Sequence, residues 1–235
     1  MSLRAVSASG ARIFGSTAGW VPADLTLVAV SSFKTWLQRI ATQPMVYDWI
    51  QRAAGASVVH RRLMAWLRFA PGAVVLDVGG GTSGLKPLLN GHVTHVCLDI
   101  ERPKLLGYAR TFHDARPLQG DAASLPVRDG SVDAVTLALV THHLDDDQIE
   151  RAVDEAARVL MPRGALLVCD AIWTPSRRIG RVLWKYDRGG HPRTRAQLED
   201  VLRRRFRIVR VDRFSVFHAY VVVVLCESTG VSSQP

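Results

Sequence analysis

The stretch Val74–Gly84, VVLDVGGGTSG, holds the residue types best suited to chemistry in this chain. An apolar run reads as a strand, Asp77 stands near its end, and Gly79, Gly81 and Gly84 fit the spacing GxGxxG, leading into an expected helix. Glycine belongs at such a place because the turn is tight and a ligand can lie against backbone that carries no side chain. Taken alone the pattern is weak, since any sharp strand-to-helix turn uses glycines. The next apolar run, HVCLDIER, ends at Asp99, about 20 residues beyond the first glycine, where an acid can accept hydrogen bonds from two ribose hydroxyls. The two features together point to a nucleotide-type cofactor, and a nicotinamide dinucleotide or S-adenosylmethionine would suit them equally.

A second group follows the apolar run that ends at Leu139. His142 and His143 come directly after it, at the edge where open α/β sheets bind ligands, and imidazole is suited to proton removal near neutrality. Histidines in that place also often only shape a pocket or bond to backbone. Further on, the segment from Trp173 to Thr194 contains WKYDRGGHPRT, in which Trp184, Tyr186, Arg188 and His191 could read a polar or anionic acceptor, with Tyr47 of the YDW stretch completing a cap. The plainer reading has Asp187 and Arg188 as a loop ion pair and the aromatics filling a local core. Metal is not expected: Cys97, Cys169 and Cys226 lie far apart, with neither CxxC nor Cys/His spacing, and read as small buried hydrophobes in a reducing cytoplasm.

These groups need a scaffold. The chain has 235 residues, 48% of them hydrophobic, which is enough for one substantial core and too little for two full-sized domains. From Pro71 and Gly72 onward, strand-like and helix-like stretches alternate, with strands expected at 74–78, 95–99, near Leu118, 132–139 and 165–172. The clear ones are continuous apolar runs, as a strand covered by helices on both faces requires. Asp145 to Leu160 reads as the best helix, with Ile149, Ala152, Val153, Ala156 and Leu160 on one stripe and an Asp145/Gln148 capping box; Thr194 and Gln197 open another. Two closing strands, 206–214 and 217–226, are separated by so short a link that they must form an antiparallel hairpin, since a parallel pair needs a long crossover. The fold expected is therefore a doubly wound, Rossmann-like α/β domain with a mostly parallel seven-stranded sheet, a final antiparallel strand and an N-terminal helical cap.

The organisation expected is a variable or poorly ordered extension over 1–32, a helical cap over 33–69, a cofactor-binding domain over 70–228 and a tail over 229–235. The first forty residues, with Arg4, Arg12, several serines and no acid before Asp24, faintly resemble a transit peptide, though a loose extension or an upstream start is preferred. No stretch approaches the roughly 20 apolar residues of a membrane helix. The net charge of +9 invites a nucleic acid or an acidic partner, but the arginines are scattered in small groups, which favours a solvated surface.

In order and spacing, the blocks LDVGGGTSG, LDI, GDAASLPVRDGSVDAV, LVTHHLDD and VLMPRGALLVCD resemble the class I S-adenosylmethionine-dependent methyltransferases over roughly residues 70 to 172. The resemblance implies S-adenosylmethionine as cofactor. It implies that Asp77 helps hold the methionine amino group while the backbone of Gly79, Gly80 and Gly81 packs against the cofactor. Asp99 then resembles the ribose-binding acid, Ile100 and Val140 neighbours of the cofactor, and Asp121 with Ala122 the adenine-edge contact; of the two histidines, His143 better matches the family position. Where the family usually has a small residue or cysteine between the first glycines, this chain has Gly80. A small-molecule or lipid-like acceptor is the expectation. The alternatives are an RNA substrate for the same cofactor, disfavoured because VTHH stands where a DPPY-type loop would, and an NAD(P)-dependent oxidoreductase, which would not call for Asp77 or the final hairpin.

Overall fold

The computed structural model describes residues 56–66, 69–89, 92–178, 181, 184, 189–216 and 219–228, all within the compact unit Arg39–Pro235. The strands are β1 (Val74–Val78), β2 (Thr94–Asp99), β3 (Pro117–Gln119), β4 (Val132–Ala138), β5 (Leu160–Ile172), β6 (Phe206–Val216) and β7 (Ala219–Ser228). They form one sheet of seven strands in the order β3-β2-β1-β4-β5-β7-β6. The pairs from β3 through β5 are parallel, and β7 runs antiparallel to both β5 and β6. The helices are α1 (Ala56–Met64), α2 (Arg102–Thr111), α3 (Asp146–Val159) and α4 (Arg195–Arg203). This is the mostly parallel sheet with a closing hairpin that the sequence implies.

Strand β5 shows why a continuous apolar run was the right signal. Its side chains alternate in direction: Leu166 and Val168 join one core cluster with Ile149, Val153 and Leu198, while Leu167 and Cys169 join a second with Val59, Leu63 and Leu85. Both faces are thus covered, α3 and α4 contributing to the first cluster and α1 to the second. At about 1.5–3 kcal/mol per fully buried aliphatic side chain, this two-sided burial is the main force holding the sheet. Helix α3 buries Ile149, Ala152, Val153 and Ala156 of the expected stripe, with Val159 ending it in place of Leu160, which caps the helix and opens β5; both capping boxes form: Asp145 and Gln148 exchange hydrogen bonds at 2.7 and 2.9 Å, and Thr194 pairs with Gln197 in the same way.

Two local expectations are corrected. No α-helix follows the glycine loop; a single 3-10 turn, Lys86–Leu88, stands there. Pro87 lacks an N–H and its ring would clash with the carbonyl four residues back, so the turn does not propagate. Strand β5 begins at Leu160 rather than Ala165, with a register shift opposite β4 between Val132 and Ala134 and with Arg163 at φ +68°. Of the segment 33–69, the described part is helical only from Ala56 to Met64, and residues before 56 lie outside the described residues, as do 229–235. Helix α1 is tied to the hairpin by Arg62, which lies 3.5 Å from Asp212 and over the Phe214 ring, and by Arg210 over Trp66.

Candidate cofactor and acceptor site

The carboxyl ends of β1, β2, β4 and β5 bring the chemistry-bearing residues to one edge. Asp77 ends β1 almost fully buried: Thr136 Oγ1 donates to its Oδ1 at 2.7 Å, Ser83 Oγ donates to its Oδ2 at 3.2 Å, and His95 Nε2 lies 3.4 Å from Oδ2. His95 in turn meets the Tyr108 hydroxyl at 2.9 Å. Burial opposes the charge on Asp77, but His95, the Thr136 hydroxyl and the nearby His60 outweigh it and hold the carboxyl below its ordinary range. The glycine loop lies directly over this acid, since a Cβ on Gly80 would stand 2.5 Å from Asp77 Oδ2 and 2.8 Å from Cys97 Sγ. Gly80 is therefore glycine because Asp77 and Cys97 fill the space beneath it.

Asp99 ends β2 and reaches the loop from the other side. Its Oδ2 accepts from Gly81 N–H at 3.0 Å and its Oδ1 from Glu101 N–H at 2.8 Å. Burial pushes its carboxyl up, with Lys104 drawing it partly back. Ile100, beside it, is 66% exposed, an unusual state for so large an apolar side chain. Asp121 is exposed after β3, with its Oδ1 accepting from Ala123 N–H at 2.9 Å, and Ala122 is half-buried next to it. Val140 comes over from the end of β4, so close that a Cβ on Gly79 would lie 2.5 Å from Val140 Cγ2. Leu139, just before it, has φ +58°, the left-handed region that costs a bulky residue about 1–2 kcal/mol.

The turn Thr141–His143 follows, and a residue at the end of β5 holds it. Asp170, 1% exposed, accepts from Thr141 Oγ1, from His142 N–H at 3.1 Å and, through Oδ1, from His142 Nδ1 at 2.6 Å. Burial opposes the Asp170 charge, yet His142 and Thr141 keep the carboxyl below its ordinary range. The His142 ring lies 4.2 Å from that of His143 and 5.6 Å, edge-on, from Trp184, which in turn meets Trp173. His191 N–H donates to the His142 carbonyl at 3.1 Å, and the Trp173 N–H donates to the Arg193 carbonyl at 2.7 Å. Arg193, itself buried, donates to the carbonyls of Thr141 and Leu144 and pairs with Asp146 at 2.6 Å. The segment between β5 and α4 is thus pinned at both ends beside His142.

Of the residues singled out in the sequence, the glycine loop, Asp77, Asp99, Ile100, Val140, His142, His143, Trp184 and His191 gather along this edge, with Asp121 and Ala122 at the next strand. His142 is buried and His143 exposed, and the buried acid belongs to His142. Tyr47, Tyr186 and Arg188 lie outside the described residues. Sequence reasoning passed over Asp170, Ser83, His95, Thr136 and Arg193. Asp170 carried the same signal as Asp77 and Asp99, an acid closing an apolar strand.

The domain family described as "Methyltransferase domain" matches residues 76–168, from β1 into β5, and so takes in the glycine loop and the carboxyl ends of β1, β2 and β4 but stops short of Asp170. The chain carries a class I, S-adenosylmethionine-dependent methyltransferase domain. It is similar to an uncharacterised methyltransferase of Synechocystis, 32% identical over 59% of this chain and 66% of the relative. It is also similar to a ubiquinone/menaquinone biosynthesis C-methyltransferase of a Ruegeria species, 33% identical over 50% of this chain and 52% of the relative. The chain spans about half to two thirds of the length of these curated relatives. A solved S-adenosylmethionine-dependent methyltransferase from Methanosarcina mazei shares the fold at TM-score 0.62 and 16% identity, over 68% of this chain and 94% of that one. Among the described residues, no helix is long and apolar enough to cross a membrane, and no group of three or more His, Cys, Asp or Glu could hold a metal.

The methyltransferase domain has a definite acid response. A carboxyl held below its ordinary value stabilises the fold above the unfolded-state range, roughly pH 4, and that contribution is lost as pH falls through the lower folded-state value. Asp77 and Asp170 both behave so, while Asp99, pushed up, has the opposite sign. The melting temperature followed by circular dichroism should therefore fall between about pH 5 and pH 2, more steeply in the wild type than in Asp77→Asn. Equal slopes would remove Asp77 from this account.

Proposed function

We propose that this chain transfers a methyl group from S-adenosylmethionine to a small-molecule or lipid-like acceptor held at the carboxyl edge of its sheet. The observation that carries this reading is the tie between Asp99 and the Gly81 N–H at 3.0 Å, which places a carboxylate of β2 against the glycine loop of β1. The residues fit the cofactor. Burial raises the Asp99 carboxyl, so two ribose hydroxyls would supply donors it lacks; Ile100 offers an exposed apolar face to a purine; and Asp121 and Ala122 stand where a base edge would reach the next strand. Asp77 acts from beneath the loop, holding it through Ser83 and itself fixed by Thr136 of β4. When bound, S-adenosylmethionine supplies a methyl carbon on a positively charged sulfur that leaves as a neutral thioether, so the chain's own task is alignment and exclusion of water.

What supports an aromatic acceptor is the other half of the edge, where Trp173, Trp184, His142 and His143 make an aromatic wall. A ring acceptor such as a reduced quinone suits it, and the similarity to a quinone C-methyltransferase supports that choice. An RNA substrate is less favoured because the basic run is already compensated: Arg203 pairs with Glu199 and Asp200, Arg204 with Glu150, and Arg205 with Asp154. Calorimetric titration with S-adenosylmethionine and with NADH tests the first part, and mass spectrometry of reduced 1,4-naphthoquinone incubated with protein and cofactor tests the second. Binding of NADH without binding of S-adenosylmethionine would overturn the assignment.

A further inference from the structure

Helix α2 opens on a residue that both burial and helix electrostatics disfavour. Lys104 stands in its first turn, a place that already carries partial positive charge and here holds no acid. It is also only 8% exposed, and lysine is seldom so deeply buried without a partner. Two partners account for it. Glu101 Oε1 lies 2.8 Å from its Nζ, and Asp99 lies within reach of its charge: burial raises the Asp99 carboxyl, and Lys104 is the strongest charge drawing it back. Glu101 joins the three, since its backbone N–H donates to Asp99 Oδ1 at 2.8 Å. It is also the N-cap of α2, yet its side chain makes no capping bond, so its carboxylate serves the lysine rather than the helix end. Pro103 stiffens the turn from which Lys104 projects, and Leu105 and Tyr108 anchor the helix in a cluster with Cys97 of β2. Among the described residues, the charged and titratable groups around Asp99 are Lys104, Glu101 and the exposed Arg102 at the start of α2, Cys97 on its own strand, Asp77 and His95 under the glycine loop, and the exposed Asp121 after β3.

We propose that Lys104 is the counter-ion of Asp99 and so a positioning residue for the cofactor, with Glu101 limiting how much of its charge Asp99 feels. The inference rests on the methyl-transfer reading above, in which Asp99 receives the two ribose hydroxyls. Two hydroxyls donate best to an anion, because a protonated carboxyl turns one of its oxygens into a donor. The Gly81 and Glu101 N–H groups already bond one oxygen each, so the acid is oriented before the ribose arrives. What those neutral groups do not supply is a full positive charge to offset burial, and Lys104 supplies it. A lysine that only closed an i,i+3 pair with Glu101 would leave Asp99 indifferent to both side chains. As a restrained counter-ion it makes Asp99 respond to both, in opposite directions.

Calorimetric titration of S-adenosylmethionine into the full chain between about pH 8 and about pH 5 tests this. Lys104→Met should bind within about threefold of the wild type at the alkaline end and about tenfold more weakly at the acid end, because Asp99 then takes up its proton at higher pH. Glu101→Gln should depart the other way and keep its affinity to lower pH than the wild type, since it removes an anion beside Asp99. Lys104→Arg keeps the charge and should follow the wild-type profile. Asp77, His95 and Asp121 are common to all of these chains, so the differences between them belong to Asp99. Side-chain carboxyl signals followed by NMR against pH without cofactor supply a second readout, with Asp99 assigned through Asp99→Asn: its midpoint should rise in Lys104→Met and fall in Glu101→Gln. A Lys104→Met chain weakened by one factor at every pH, or an Asp99 midpoint that neither substitution moves, overturns the proposal. If Lys104→Met fails to fold, Glu101→Gln decides by the same two readouts. Midpoints that move as expected in a chain that binds no S-adenosylmethionine support the ion pair, overturn its role toward the cofactor and count against the methyl-transfer reading itself.

Discussion

An Asp99→Ala chain is expected to bind S-adenosylmethionine about a hundredfold more weakly or worse while melting close to the wild-type temperature. Each hydrogen bond from a ribose hydroxyl to a carboxylate contributes about 1.5–3 kcal/mol, and two are lost together. The fold has less to lose. Burial raises the Asp99 carboxyl, so its ionised form costs stability at neutral pH, and removing it relieves that cost while forfeiting the bonds from Gly81 and Glu101 N–H. The two changes oppose each other in stability but not in affinity. Calorimetry for the cofactor and a thermal melt without it separate them. Undiminished affinity would mean that Asp99 only braces the glycine loop, and the cofactor site would have to be sought elsewhere.

How far the sequence could be read depended on whether a feature is written in residue type or in backbone geometry. Asp77, Asp99 and the glycines were legible because an acid at the end of an apolar run is improbable unless something needs it there. The same logic would have found Asp170, which closes LLVC in β5, but without a glycine loop after it the acid drew no notice. The spacing GxGxxG offered Gly84 as the third loop glycine. The structure gives the positive φ to Gly79, Gly81 and Ser83 instead, with Ser83 at +51°. Serine accepts that strain here because its hydroxyl bonds Asp77 and receives the Lys86 N–H, closing the loop from within. Gly84 is small for another reason: His60 of α1 lies 2.7 Å from where its Cβ would be. Neither fact is visible in letters, since both depend on a dihedral angle or on a neighbour distant in sequence. The hairpin and both capping boxes were legible because they are local and their chemistry is stoichiometric: one side chain for one orphaned N–H.

Gly79→Ala is expected to damage both stability and cofactor binding. Two costs add at this residue. Its φ of +70° lies in the left-handed region, where a Cβ costs roughly 1–2 kcal/mol. The new Cβ would also stand 2.5 Å from Val140 Cγ2 and 2.9 Å from Val140 Cβ, an overlap that overpacking data put at about 1–3 kcal/mol. Val140 has little room to retreat, because Leu139 before it is already held at φ +58° and the turn after it is fastened to Asp170. A combined loss of about 2–5 kcal/mol corresponds to a fall in Tm of roughly 4–20 °C for a domain of this size. Displacement of Val140 carries His142 with it, so cofactor affinity and any turnover should fall together in the folded fraction. Gly72→Ala provides the contrast: its φ is +86° but nothing lies within 4 Å of the added Cβ, so only the backbone cost applies and the cofactor Kd should hold. Equal losses of stability in the two variants would show that backbone strain alone matters at Gly79, and that the contact joining the cofactor loop to the His142 turn is not the link assigned to it.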